Sequence, residues 1–274
     1  MPKSLSAQQI EYFHQYGYVA PIRVMSTQQA LELRKRLEDF EHSDSPLKKK
    51  ALNVKSHLLF PWLNQLVRSD AVVNAIEDLY GENLLAWASS FFIKNGNDPA
   101  YVSWHQDSTY WGLSKPDVVT AWVALSESTR ENGAMQVIPG THLLEQIPHR
   151  DTFSEHNLLT RGQEVAVDVD ESQAVSIELE PGEMSLHHVR IVHGSPPNAS
   201  AKRRIGYAIR YIPTYVQQLE GDDSATLVRG VDTFNTFEHE PVPAAELEPA
   251  FVALHQKIGE RNLNILYKGA AQQR

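Results

Sequence analysis

His105 and Asp107 stand two residues apart in Trp104-His105-Gln106-Asp107, within a run of strand-like residues. Successive side chains of a strand point to opposite faces, so residues of the same parity share one. An imidazole nitrogen and a carboxylate oxygen can then aim at one point, about one pleat apart. One further histidine would complete a two-histidine, one-carboxylate set. Such a set leaves coordination positions open for substrate and O2, a preference of ferrous iron. The best third donor is His193, in His193-Gly194-Ser195-Pro196-Pro197. His187 and His188 compete with it: His187 shares the parity of His193 on an unbroken strand, and a bulge would reverse the two. Taken alone, His105 with Asp107 also fits a structural hydrogen-bonded pair in a barrel.

The 274 residues suffice for a substantial core, and no repeat, low-complexity tract or long linker divides them, so a single domain over 1–274 is expected. A net charge of -9 argues against binding nucleic-acid backbones or anionic membranes. Cysteine is absent, which removes disulfides, thiolate zinc sites and cysteine nucleophiles; any metal must be held by His, Asp or Glu. The N-terminus lacks the apolar core of a signal peptide and no run of about 18 apolar residues occurs, so a soluble, cytoplasmic protein is expected.

The elements that must position these residues begin with helices. Ser6 reads as the N-cap of a helix closed by Gly17, followed by a short strand over 18–22. A second helix starts at Ser26-Thr27, with Ala30, Leu33, Leu37 and Phe40 at helical spacing and Glu32–Arg36 as an exposed pair. Lys48-Lys49-Lys50 reads as a solvated turn. A helix spans 71–80 and ends at Gly81. Beyond it the pattern turns extended, with strands predicted over 84–94, 118–125, 136–138, 175–179, 184–188 and 205–212. Gly, Pro and Asn clusters separate them. The segment 221–240 reads as a long loop and 244–259 as a returning helix. Helices followed by many short strands predict an α+β fold built on an antiparallel barrel or jelly roll.

Three further stretches join Trp104-His105-Gln106-Asp107: Asn132-Gly133-Ala134-Met135-Gln136-Val137-Ile138-Pro139-Gly140-Thr141-His142, Pro181-Gly182-Glu183, and His193-Gly194-Ser195 with Arg204. In their order and spacing the chain resembles the phytanoyl-CoA dioxygenase family of Fe(II)/2-oxoglutarate-dependent oxygenases, from about Ile10 to Ile212. The resemblance implies a double-stranded β-helix, the cupin-like jelly roll, with N-terminal and C-terminal flanking helices. It implies that His105, Asp107 and His193 bind iron and that Arg204 pairs with the distal carboxylate of 2-oxoglutarate. The planar fork of arginine suits that task. Neighbours on a strand face opposite ways, and the family spacing selects Arg204 over Arg203. Ser195 and Trp122 fall where the family has further 2-oxoglutarate contacts. Lys55 or His57 is placed near the same site as another polar contact. Halogenating relatives replace the metal-binding carboxylate with a small residue; Asp107 is present, which favours hydroxylation.

Tyr110, Trp111 and Trp104 surround the ligand pair in sequence and are candidates for walling the substrate side. By residue type alone, Tyr110, Trp111 and Trp122 also suit plain packing, and His142 suits a turn. His57, Tyr110 and Trp111 are carried forward as substrate contacts. The expected activity is conversion of 2-oxoglutarate to succinate and CO2, coupled through O2 to hydroxylation of a small to medium-sized metabolite. Two other classes compete: a non-catalytic jelly-roll ligand-binding protein, and a zinc-dependent hydrolase, which would not need Arg204. The sequence carries no extended basic groove for the phosphates of a CoA thioester, so a small polar metabolite is preferred, and it is silent on oligomeric state.

Overall fold

The computed structural model describes residues 2–268. Ser6 opens α1 (Ala7–Tyr16) with a capping box: its hydroxyl accepts from the amide of Gln9, whose side chain accepts from the amide of Ser6. Gly17 closes the helix at φ 81°, a left-handed conformation that favours a residue without Cβ. Strand β1 (Tyr18–Arg23) follows at once. Ser26 and Gln29 repeat the box at α2 (Thr27–His42), which buries Ala30, Leu37 and Phe40. The expected Glu32–Arg36 pair is replaced: Glu32 accepts from Gln28, and the ion pairs of this helix are Arg34–Glu38 and Lys35–Asp39.

The lysine run, expected as a turn, instead opens the short helix α3 (Lys48–Asn53), which the buried Ala51 fixes against the core. Helices α4 (Pro61–Val67) and α5 (Asp70–Tyr80) complete the helical layer; a proline starts the first and Gly81 ends the second.

The sheet strands follow in order. They are β2 (Leu84–Lys94), β3 (Val102–His105), β4 (Val119–Ala124), β5 (Gln136–Ile138), β6 (His149–Asp151) and β7 (Gln163–Val165). After them come β8 (Val175–Ser176), β9 (Glu183–His188), β10 (Val192–Ser195), β11 (Arg204–Pro213), β12 (Ser224–Arg229) and β13 (Glu238–His239). The last helix, α6 (Pro249–Leu266), starts at Pro249 and runs beyond the segment expected for it. A seven-stranded sheet in the order β1-β9-β4-β11-β2-β12-β13 stands over a four-stranded sheet in the order β3-β10-β5-β8, with β6 and β7 paired separately. Apart from the parallel β12–β13 contact the pairings are antiparallel. This is the predicted jelly roll.

The large sheet is covered on both faces, and residue parity sorts its chemistry. Val119, Ala121, Val123, Ile205, Tyr207, Ile209 and Tyr211 pack with the helices in one core. Trp122, Ala124 and Ala208 face the small sheet and pack with Met135, Val137 and Ile191. The even-numbered residues of β4 and β11 therefore look into the jelly roll.

The segment 221–240 is not a loop. It contains β12, which pairs with β2, and β13. Polar side chains hid the strand, because Ser224 and Thr226 point into a buried cluster. There Glu240 accepts from Lys55 Nζ at 2.6 Å and from Thr226 Oγ1 at 2.6 Å, with His57 Nε2 at 3.1 Å. Burial would raise the Glu240 carboxyl, but Lys55, then His57, hold it well below the usual carboxylate range. A carboxylate with a depressed folded-state pKa stabilises the fold above its unfolded pKa, and that contribution fades as pH falls below it. Glu240→Gln, which leaves buried Lys55 with only the more distant Asp223 carboxylate at 4.0 Å, is expected to lower stability by about 3 kcal/mol at neutral pH. Urea unfolding from pH 7 down to pH 3 should show the variant losing less on acidification than the parent chain.

Candidate metal centre

Strands β3 and β10 pair with His193 opposite His105, and the two rings lie 4.1 Å apart between centroids. Gln106 keeps the extended backbone for one more residue (φ -108°, ψ 135°), so Asp107 returns to the face of His105. Gln106 itself points the other way: its amide donates to the Arg190 carbonyl and accepts from the amide of Ile147. Asp107 then begins a 3-10 turn, tied by its own amide to the carbonyl of Val189 at 3.0 Å. Ligand atoms of His105, Asp107 and His193 all lie within 4.8 Å of one another, and the three residues are buried.

The donor chemistry fits a metal. Nδ1 of His105 donates to backbone carbonyls at 2.9 and 3.1 Å, and Nδ1 of His193 donates to the Ile191 carbonyl at 3.0 Å. A carbonyl can only accept, so in both rings the proton sits on Nδ1 and the Nε2 lone pair is free to ligate. Burial, and then the neighbouring His105, push His193 well below the usual imidazole range and keep it neutral. Burial alone would raise the Asp107 carboxyl, but the His105 ring 3.2 Å away and the charge of Arg210 hold it below the usual range. Two neutral imidazoles and one carboxylate, with no thiolate, suit ferrous iron.

Parity decides between the neighbouring histidines. His187 looks into the cavity with its ring 5.1 Å from that of His193, and burial lowers its pKa to about 4. His188 faces the helices, against Phe13 and His142. His142 in turn donates through Nε2 to the His14 carbonyl and so docks α1.

Arg204, Ser195 and Trp122 line the same cavity as the triad. The Arg204 guanidinium stands 5.3 Å from the Trp122 ring and donates to the Gly133 carbonyl at 2.8 Å; its Nε is buried without a partner. Ser195 Oγ donates to the same carbonyl at 2.9 Å. Arg203, by contrast, is held outward by Glu38 and Glu41 of α2.

The substrate contacts drawn from the sequence fare differently. His57 belongs to the Glu240 cluster, hydrogen-bonded to Ser89 and remote from the cavity lining. Tyr110 donates to Asp151, with Arg161 stacked 3.7 Å from its ring, and does not line the cavity. Trp111 packs on Trp87, stands 5.7 Å from the Arg210 guanidinium, and lines a neighbouring cleft rather than the cavity of the triad. The 3-10 turn after Asp107 ends the strand alternation and swings both rings away. Trp104, on the opposite face from His105, donates to the exposed Glu171.

The sequence reading passed over Lys94, Phe92, Thr120 and Arg210. Lys94 donates to Ser195 and Pro196 beside Arg204; burial, then the Arg204 charge, lower its pKa to about 6. Arg210 shares the parity of Arg204 on β11, which is the signal that could have found it.

A cupin-like jelly roll whose small sheet presents two imidazoles and a carboxylate at one buried point defines a protein with a mononuclear metal centre of the non-haem kind. The sequence profile of the phytanoyl-CoA dioxygenase (PhyH) family matches residues 13–206, and the chain belongs to that family. The non-heme monooxygenase ThoJ, in its apo form, superimposes with a TM-score of 0.85 at 31% identity over 95% of this chain and 98% of that one. A probable alpha-ketoglutarate-dependent hypophosphite dioxygenase of Stutzerimonas stutzeri is 34% identical over 159 residues, 56% of this chain and 54% of its own length. The L-proline trans-4-hydroxylase of Streptomyces griseoviridis is 28% identical over 164 residues, 54% and 61% of the two chains. The match thus spans between about half and three fifths of these two relatives.

Trp122 owes its place to Gly206 beneath it: a Cβ there would come within 1.8 Å of the indole. Gly206→Ala must displace that ring, at an expected cost of about 1–3 kcal/mol. Near-ultraviolet circular dichroism should change, and the urea midpoint should fall.

Proposed function

We propose that this chain is an Fe(II)- and 2-oxoglutarate-dependent dioxygenase that hydroxylates an unactivated C–H bond of a small to medium-sized metabolite. The convergence of His105, Asp107 and His193 in the same cavity as Arg204 carries this reading. Support comes from the names of the relatives, one an alpha-ketoglutarate-dependent dioxygenase and one a hydroxylase, and from a nickel complex of ThoJ at 28% identity and a TM-score of 0.81.

When bound, ferrous iron and 2-oxoglutarate supply the oxidising power: O2 delivers one oxygen atom to the substrate and one to succinate, with release of CO2. The protein holds and orients. His105, Asp107 and His193 would hold the iron, a three-donor set that leaves positions for the keto acid and O2. Arg204, with a free Nε and a fixed side chain, receives the distal carboxylate through its planar fork, Ser195 adds a hydroxyl beside it, and Trp122 forms the wall. Burial of all three ligands keeps bulk water from the reacting centre. Thr120, Phe92 and Met135 shape the remaining wall. A ligand-binding jelly roll without catalysis would not need this complete donor set.

Asp107→Ala should lose stoichiometric Fe(II) binding and at least about a hundredfold of Fe(II)-dependent succinate release. Arg204→Met should retain iron and raise the KM for 2-oxoglutarate by roughly 10–100-fold, the value of a lost charge-assisted pair. Unchanged iron binding and turnover in Asp107→Ala would contradict the reading.

A further inference from the structure

Arg210 is a buried cation without a counter-charge in direct contact. It sits on β11, on the face of Arg204, with Gly206 and Ala208 between them, and it lines the cavity that holds the metal-ligand triad. Its side chain is held in place: Nη1 donates to Ser90 Oγ at 2.6 Å, and the guanidinium lies 5.6 Å from the Phe92 ring and 5.7 Å from that of Trp111. The residue is only 9% exposed, and its Nε is buried with no partner. Among the described residues no carboxylate forms an ion pair with it; the acid that acts on it is Asp107, from the ligand triad.

A buried guanidinium left in this state is costly, and structural arginines are normally paired or reach water. Charge counting sharpens the point. A ferrous dication, the Asp107 carboxylate, the Arg204 guanidinium and dianionic 2-oxoglutarate cancel one another. Lys94 is occupied with Ser195 and Pro196. Once the centre is loaded, Asp107 is neutralised by the metal and Arg210 alone on this lining stays uncompensated. The two arginines stand six residues apart on β11, their Cα atoms about 20 Å apart, and Arg204 is the one held against Trp122 and the Gly133 carbonyl. Trp111, at the side of Arg210, also lines a neighbouring surface cleft that carries Lys115 and Arg190, so an approaching anion meets positive charge.

Resting on the oxygenase reading above, we propose that Arg210 receives an anionic group of the substrate (carboxylate, phosphonate or phosphate) and so fixes which C–H bond faces the metal. Arg210 is then the residue that sets the substrate class.

The test uses the full chain loaded anaerobically with Fe(II) and 2-oxoglutarate, followed by its metal-to-ligand charge-transfer absorption. Acetate, butyrate, phenylacetate and methylphosphonate are titrated in, each beside its neutral methyl ester. The acids are expected to perturb the band saturably, and the esters at least tenfold more weakly. Arg210→Gln should abolish that difference and Arg210→Lys should restore part of it. The comparison of acid with ester in the parent chain stands even if a variant fails to fold. Acids and esters acting alike, or none acting, overturns the role of Arg210 while the band itself upholds the oxygenase reading. Absence of the band before any probe is added overturns both.

Discussion

Backbone hydrogen bonds between β3 and β10 set His193 opposite His105, and the centre depends on that register. A slip by one residue would turn one imidazole to the far face of the small sheet. The amide of Asp107 fixes the third ligand by bonding to Val189, three residues before β10 begins at Val192. Both imidazoles are oriented by carbonyls, those of Ser103, His193 and Ile191, so the ring tautomers follow from the same backbone that sets the register. Ligand geometry is therefore built into strand pairing, with no mobile loop between the donors.

The opposing wall is β11, a strand buried at every position. Its odd residues are apolar or tyrosine and bind the helical layer to the sheet; its even residues up to the register shift after Arg210 are Arg204, Gly206, Ala208 and Arg210. Two guanidiniums on one buried face would repel and desolvate each other if adjacent. Two small residues separate them and leave room for the Trp122 ring over Gly206. The fold thus pays for charge at both ends of the cavity with an extensive apolar contact behind the same strand.

Much of this was legible in the sequence for physical reasons. The capping boxes at Ser6 and Ser26 and the glycine stops at Gly17 and Gly81 are local chemistry, and they formed where the residues demanded. The pairing of His105 with Asp107 needed only the strand period, which Gln106 preserves. What failed depended on distant partners or on where a strand stops. Ser224 and Thr226 look like loop residues until Glu240 and Lys55 are placed beside them. His57 has the type of a ligand contact, yet its partners are Ser89 and that same glutamate. Trp111 would share the face of His105 and Asp107 only on a continuing strand, and the turn at Asp107–Tyr110 removes it from that face, while Tyr110 is tied to Asp151. Arg210 was visible as a partner in parity to Arg204, but a lone arginine in an apolar strand gives no local sign of being unpaired.

X-ray absorption at the iron edge of the Fe(II)-loaded protein with 2-oxoglutarate tests the meeting of these side chains most directly. The account predicts a nitrogen and oxygen shell with the multiple-scattering signature of two imidazoles, falling to one in His193→Ala. A shell with no imidazole signature, or one unaltered by that substitution, would place the metal elsewhere and contradict it.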